Sequence, residues 1–588
     1  MFIGFNMEQK PDLYCSFKTL HYCYVFFDMD STAQNRFHSI KLWPPSQGTR
    51  QILVERITIT LTTPSILSRK YGLLSKEEAQ EDAKRIEAAA FETANQHFEK
   101  EPDGDGGSAV QLYAKQSSTL ITEAVKRGPR VKQEQEEITF EPIAPENKKV
   151  VFDISKGKRG FIDADEAKDL LKPLQEPGNK YTKICFSNRS FGLDAARIAA
   201  PILASLKGQL TEVDLSDFVA GRPEDEALEV MKMFSAALKG FDLRYLDISD
   251  NALGEKGVRA FSELLSSQSN LEELYLKNYC ISPEQAPKAV VELIPSTQKL
   301  KILHFQNYRT SYEGAIVISE LLKKSPILED FRCSATWVCS EGGIALSEAL
   351  ATCTGLKKLD LSLNNFGVEA GIALSEALAT CTGLKKLNLS FNEFGVEAGI
   401  ALSKTISLLT NVTEIYLSYL NLKNEGSLAL VNALKDSAKF LEVVELAVNG
   451  ITAEAASGLA EFIVARKESL VKILLSENEL KDESAIKIAK ALEEDFPRLT
   501  EVDLSFNMIR RAGAKVLAQA VVSKPGFKVL NINGNYISDE GVEDVIEIFK
   551  NSPDLLGPLD DNLGDNNDPE GEEFDNEDED ADEDKQDE

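Results

Sequence analysis

Between residues 356 and 411 a single unit is written twice: "LKKLDLSLNNFGVEAGIALSEALATCTG" is followed directly by "LKKLNLSFNEFGVEAGIALSKTISLLTN". Its first half puts Leu359 and Leu361 on one face of an extended chain, and its second half spaces Ile372, Leu374, Ala377 and Leu378 as a helix does. A repeat of about 28 residues holding one strand and one helix cannot bury its apolar face alone, so it must stack on copies of itself. The doubled unit therefore requires a solenoid.

Counterparts of Leu356 and Leu384 recur at Leu210, Leu243, Leu271, Leu300, Leu328, Val412, Leu441, Leu470, Leu499 and Phe527. Each opens LxxLxLxxNxL followed by a helical pattern, the long form of the leucine-rich repeat. The expected fold is α/β, a ribonuclease-inhibitor-like arc over 181–556 with parallel strands inside and helices outside. Asn251, Asn364, Asn392, Asn449, Asn478, Asn507 and Asn535 fill the position that turns inward to satisfy backbone groups at the bend. These are structural residues. From Leu271 to about Trp337 the ladder breaks, with Tyr279, Tyr308 and Thr336 at the inward position; Asn278 and Asn307 stand one residue earlier, where a side chain reaches the rim. Local rules that fail in consecutive repeats mark function or divergent repeats with a shifted bend. A longer loop, "DLSDFVAGRPEDEALE", carries Arg222 beside Pro223, a contact for a carboxylate or phosphate on a stiffened rim.

Outside the repeats, residues 1–37 read as an extension, 38–128 as a compact helical module, 129–180 as a charged linker and 557–588 as a disordered acidic tail. In the module, Ser46 caps a helix that Pro64 stops, Ser75 with Glu78 forms a capping box, and Ser108 starts the last helix. The stripe Ala79, Ala83, Ile86, Ala90, Phe91, Ala94 and Phe98 faces its core. The net charge of -30 argues against nucleic acid or an anionic membrane as main partner. The 8 Cys show no CxxC pair and read as buried free thiols, and the 4 scattered His make a metal site or a catalytic triad improbable. No P-loop spacing and no apolar run long enough for a membrane helix is present, so neither a cofactor nor a transmembrane segment is expected.

Two resemblances add to this reading. "LWPPS", "TPSILSRKYGLL", "EEAQEDAKRIEAAAFETAN" and "EPDGDGGSAVQLYAKQSS" resemble the plant WPP domain, a nuclear-envelope targeting module. That resemblance implies docking onto coiled-coil anchor proteins, with Trp43, Pro44 and Pro45 as the motif residues. "SNRSFGLDAARIAAPIL", "LTEVDLSDFVAGRPEDEALEVM", "LRYLDISDNALGEKGVRAF", "LEDFRCSATW" and "LSFNMIRRAGAKVLAQA", with the module and the acidic tail, look like the plant Ran GTPase-activating proteins.

The second resemblance implies that the rim binds Ran carrying GTP and speeds hydrolysis by fixing the GTPase's own catalytic glutamine, without an arginine finger. By the "GR" and "LYLxN" motifs it places the assisting Asn at Asn278 and the orienting Arg at Arg222, with Asp250 and Asn307 also on the Ran-binding surface. Tyr279 departs from the polar residue common there. It further implies a cytoplasmic protein at the outer nuclear envelope, and at the cell plate and spindle of dividing cells. The competing reading is a non-catalytic interaction scaffold; a leucine-rich immune receptor lacks its preceding nucleotide-binding module. Because "GIALSEALATCTG" at 343–355 recurs unchanged at 371–383, one repeat reads as an insertion that shifts later contacts by one unit.

Overall fold

The computed structural model describes residues 43–45, 50, 53–54, 57–58, 61, 74–100, 107–127, 150–155, 160–251, 254–278, 285–306 and 310–564. The expectations for residues 1–37, Ser46, Pro64, Tyr279, Asn307 and Tyr308 lie outside them. Two compact units divide at Leu441 and Glu442.

In the helical module, α1 (Lys76–Lys100) starts where the capping signature places it, with the Glu78 amide donating to Ser75 Oγ at 3.2 Å. The second helix, α2 (Gly107–Arg127), begins one residue before Ser108, which therefore lies within it. Ala79, Ala83 and Ile86 of α1 pack with Val54, Ile57, Leu61, Leu74 and Ala124. One turn on, Ala90 and Ala94 meet Trp43, Ala109 and Tyr113. Alanine along one stripe lets α1 and α2 approach closely, and the aromatic rings fill what remains.

The repeats of the first unit supply strands β1 (Val151–Asp153), β2 (Gly160–Ile162), β3 (Lys183–Cys185), β4 (Arg189–Phe191), β5 (Glu212–Asp214), β6 (Tyr245–Asp247), β7 (Glu273–Lys277), β8 (Ile302–Gln306), β9 (Asp330–Ser334), β10 (Lys358–Asp360), β11 (Lys386–Asn388) and β12 (Glu414–Tyr416). Apart from β2 and β4, which pair with each other, these run parallel in sequence order. The register follows the repeat: Leu359 lies opposite Leu387, and Leu387 opposite Ile415. In the second unit β13 (Val443–Glu445), β14 (Lys472–Leu474), β15 (Glu501–Asp503) and β16 (Val529–Asn531) pair parallel in the same way. Leu210, Leu243, Leu271, Leu300, Leu328, Leu356, Leu384, Val412, Leu441, Leu470, Leu499 and Phe527 are all buried.

Both ends of the solenoid extend past the expected limits. Residues 150–155 and 160–180 are not linker: β1 pairs with β3, burying Phe152 and Ile154, and Asp163 caps the helix Ala164–Leu170 by accepting the amides of Asp165 and Glu166. A terminal repeat must cover the open end of the stack, so it departs from the consensus that identifies the others. At the far end, residues 557–564 continue the last repeat. Leu559 is buried, Asn562 Oδ1 accepts the Asn535 amide at 2.7 Å, and the Leu563 amide donates to Asn535 O at 3.0 Å.

The inward asparagines behave as expected. Asn364 Nδ2 donates to the carbonyls of Cys333 and Leu361 at 2.8 and 3.0 Å, and Asn392 repeats this on Leu361 and Leu389 at 3.1 and 2.8 Å. Thr336 replaces Asn in its repeat and donates instead to Asn364 Oδ1 at 2.7 Å. The duplicated helices also share one interface. A Cβ on Gly343 would lie 2.9 Å from that of Ala370, and one on Gly371 2.6 Å from that of Ala398. Either helix therefore fits the surface that comes after the other.

Candidate functional site

After β3, β5, β6, β7, β9, β10, β11 and β12 the chain bends through a residue with a left-handed backbone: Asn188, Asp217, Asp250, Asn278, Ala335, Leu363, Phe391 and Tyr419, with φ between 52° and 65°. Asn and Asp tolerate this conformation better than other side-chain-bearing residues. Backbone preference alone does not demand them, because Ala, Leu, Phe and Tyr hold the same conformation in later repeats. The polar side chains at 250 and 278 therefore call for a second reason.

That reason is visible in their contact. Asp250 and Asn278 sit on adjacent bends, their amides donating to Lys277 O at 2.8 Å and Gln306 O at 2.9 Å. Asn278 Nδ2 donates to Asp250 Oδ1. Both side chains are partly exposed. The carboxylate fixes which end of the Asn278 amide is which, a charge-assisted arrangement that holds its rotamer. Asn251, one residue further on, is 3% exposed and spends its side chain on Leu215 O, Ile248 O and the Phe218 amide. The rim residue and the ladder residue are thus separated by burial, as their spacing predicts.

Arg222 does not join that pair. Its Nε donates to Ser190 Oγ at 3.2 Å, and one terminal nitrogen donates to the carbonyls of Ser190 and Ile162 at 2.8 and 3.2 Å. The guanidinium lies 4.7 Å from the centre of the Phe161 ring and 3.7 Å from Glu226. It fastens the loop after β5 to the β2–β4 pair. Sequence reasoning missed this engagement because one acceptor, Ile162 O, comes from the stretch taken as linker and the other two, on Ser190, come from a remote strand; the one available signal was the Asp163–Glu166 capping pattern.

On the sheet face opposite the helices, β7 to β9 carry a connected polar row. Tyr275 meets His304 edge-on at 4.9 Å, His304 Nε2 bonds Asp330 Oδ1 at 3.0 Å, and Arg332 Nε donates to the same oxygen at 3.1 Å. Burial acts to raise the Asp330 pKa, but the bonds from His304 and Arg332 prevail and bring it down to about 2. This row occupies the repeats where the Asn ladder breaks.

Upstream, Asp214 and Asp247 lie opposite each other, each accepting the amide of the serine two residues on at 2.9 Å. Burial, and then the Asp214 charge, push the Asp247 carboxyl up to about 6. The folded state holds this proton more tightly than an unfolded Asp near 3.9, so its stabilising contribution is complete below about pH 4 and lost as pH rises through 6. Asp247→Asn should leave stability at pH 4 unchanged and raise it at pH 7 by about 1 to 2 kcal/mol, allowing for solvent at this partly exposed position. The geometry permits the change, since Asn388 already caps Ser390 at 3.1 Å. Thermal melts at both pH values check this; an equal shift at each would show that charge is not the cause.

The Trp43–Pro44–Pro45 motif is organised differently. Trp43 is 1% exposed, stacked on Phe91 at 5.3 Å, edge-on to Tyr113 at 5.5 Å, and its Nε1 donates to Asn95 Oδ1 at 3.3 Å. Pro44 is exposed and Pro45 half-buried. Trp43 thus holds the module together while the prolines face outward. Helix α1 also carries two buried carboxylates outside its apolar stripe. Asp82 bonds Arg85 at 2.6 Å and pairs with Arg127, and Glu87 receives Arg50 Nε at 2.6 Å and Tyr113 Oη at 2.6 Å.

Comparison with known proteins fits these two parts. A model for the WPP domain matches residues 39–135, and one for the leucine-rich repeat matches 241–262, 352–375, 380–403 and 527–545. The molecule is of the class that joins a WPP domain to a leucine-rich-repeat solenoid. RAN GTPase-activating protein 2 of Arabidopsis thaliana is 58% identical over 525 residues, 89% of this chain and 90% of that protein. RAN GTPase-activating protein 1 of the same plant is 64% identical over 245 residues, 42% of this chain and 44% of that protein. MFP1 attachment factor 1 of Solanum lycopersicum is 40% identical over 88 residues, 15% of this chain and 57% of that one. The chain belongs to the Ran GTPase-activating protein family.

Proposed function

We propose that this protein stimulates GTP hydrolysis by Ran, with Asn278 acting in trans on the GTPase's own catalytic glutamine and Asp250 holding the Asn278 amide in position. The observation that carries this reading is the Asp250–Asn278 pair on two adjacent left-handed bends, partly exposed where the neighbouring ladder is buried. GTPase activation of about 10⁵-fold corresponds to roughly 7 kcal/mol, and orienting a nucleophile and stabilising charge are the terms a partner protein can supply. An arginine finger is disfavoured here because Arg222 would have to abandon two carbonyls and Ser190 to serve as one. Arg222 instead supports binding by holding the loop after β5 in shape, with Asn307 completing the surface.

The protein contributes no nucleotide site of its own. Its WPP domain docks on coiled-coil anchors of the nuclear envelope, placing the activator at the outer face and, in dividing cells, at the cell plate and spindle. Among the described residues no helix is long and apolar enough to cross a membrane, so an anchor protein is the natural tether. Single-turnover hydrolysis by purified Ran carrying GTP, with and without the full chain, tests the reading. No acceleration at saturating protein would leave only the interaction scaffold.

The duplication yields a further expected result. Deleting 356–383 joins Gly343 to the surface that Gly371 now meets, so the shortened chain should melt cooperatively within about 1 to 2 kcal/mol of the parent. Its affinity for Ran should be restored or improved. A clear loss of binding with an intact melt would place the extra repeat in the working surface.

Trp43 and Pro44 should separate folding from docking. Trp43→Ala removes a buried ring at a cost of about 3 to 5 kcal/mol and should abolish envelope localisation through unfolding. Pro44→Ala should keep the module's melt and weaken localisation alone; unchanged localisation would take Pro44 out of the docking surface.

A further inference from the structure

The last repeats of the second unit carry a recess of about 380 Å³ lined by Lys481, Asp482, Glu483, Met508, Arg510 and Tyr536. Its two carboxylates are already engaged. Asp482 Oδ1 accepts the amides of Arg510 and Gly513 at 2.8 and 3.0 Å, starting the helix Arg511–Val521, and Glu483 pairs with Lys487 at 3.0 Å. Lys481 has no ion-pair partner among the described residues. Lys481 therefore lies beside apolar surface: Tyr536 is 40% exposed, and the neighbouring Phe506, 43% exposed, lies across Gly534.

The described chain ends at the edge of this recess. Leu563 is bonded to Asn535, and a Cβ on Gly564 would lie 3.2 Å from the Cα of Ser538, two residues past Tyr536. The C-terminal segment beyond Gly564, "DNNDPEGEEFDNEDEDADEDKQDE", is dominated by Asp and Glu and holds one aromatic residue, Phe574, flanked by Glu572, Glu573 and Asp575. At about 3.3 Å per residue the chain from Gly564 to Phe574 reaches up to roughly 33 Å, more than a site beginning at its exit point requires.

We propose that the acidic segment 565–588 folds back onto this recess, with Phe574 packed against Met508 and Tyr536 and its flanking carboxylates facing Lys481 and Arg510. Charge and apolar chemistry match on both sides: an aromatic anchor among carboxylates meets an aromatic floor beside the Lys481 ammonium. A solvated polyanion otherwise free to seek any basic surface is thereby held on its own chain, and salt releases it.

The test places a photoreactive benzoylphenylalanine at position 574 of the full chain and maps the adducts by mass spectrometry. The expected adducts fall on the segments containing Met508 and Tyr536. They should drop at least about fivefold at 1 M salt, where the Debye length is about 3 Å, and in the Lys481→Glu, Arg510→Glu double variant. Cooperative melting of that variant establishes that it is folded; if it is not, the single Lys481→Glu chain is used. Adducts elsewhere on the chain, adducts insensitive to both salt and charge reversal, or adducts formed only on added Ran would each overturn the assignment, the last naming the GTPase as the occupant.

Discussion

Replacing Asn278 by alanine should lower single-turnover GTP hydrolysis by Ran at saturating activator by about 10²- to 10³-fold, roughly 2.7 to 4 kcal/mol of transition-state stabilisation. Binding should weaken far less, because the amide is one polar group on a broad surface. The pairing with Asp250 makes the expectation sharper. Asp250→Ala leaves the amide in place but unheld, so it should show a smaller loss of rate. Asp250→Asn, which keeps an acceptor, should recover part of it. Asn251→Ala is the contrasting change. It strands the carbonyls of Leu215 and Ile248 and the Phe218 amide in a buried bend, at about 1 to 3 kcal/mol for each unpaired group. Its effect should appear in the melting curve and not in the rate at saturation. Equal loss of rate and melting cooperativity in both variants would erase the distinction between rim and ladder.

The second large effect belongs to the WPP domain. Glu87→Ala should cost about 3 to 5 kcal/mol, since removing one partner of a buried ion pair leaves the other charged and unpaired. The stranded groups are specific: Arg50, whose guanidinium lies 3.6 Å from the centre of the Phe91 ring, and the Tyr113 hydroxyl, whose own proton burial and Glu87 hold tightly. Against a typical domain stability of about 5 to 15 kcal/mol this is a large share. A fall in the module's urea midpoint and loss of envelope localisation are expected, with stimulation of hydrolysis in solution unchanged. A midpoint within about 0.5 kcal/mol of the parent would show that the pair is compensated by its neighbours.

Much of this molecule is written in its sequence because a solenoid repeats its instructions. Leu359, Leu387 and Ile415 occupy one register, and so periodicity alone finds them. The separation of Asn278 from Asn251 is legible for the same reason, as a one-residue offset against a repeated template. The illegible parts arise where the template is absent or the partner is remote. The β1 and β2 strands belong to a capping repeat that has no consensus to match. Arg222 reads as a free rim cation until Ile162 O and Ser190 O come into position beside it. Asp82 and Glu87 look like ordinary helix-surface acids, and only the folded module buries them.

The run of left-handed bends has a wider consequence. Since the solenoid imposes the same backbone on Asp250, Asn278, Ala335, Leu363, Phe391 and Tyr419, the strand ends act as a pegboard on which the side chain can be exchanged without redesigning the support. Selection can then move a chemical group along the edge in steps of one strand spacing, about 4.8 Å, while every step keeps the group's orientation. A lineage exploring new partners needs only to change the pegs.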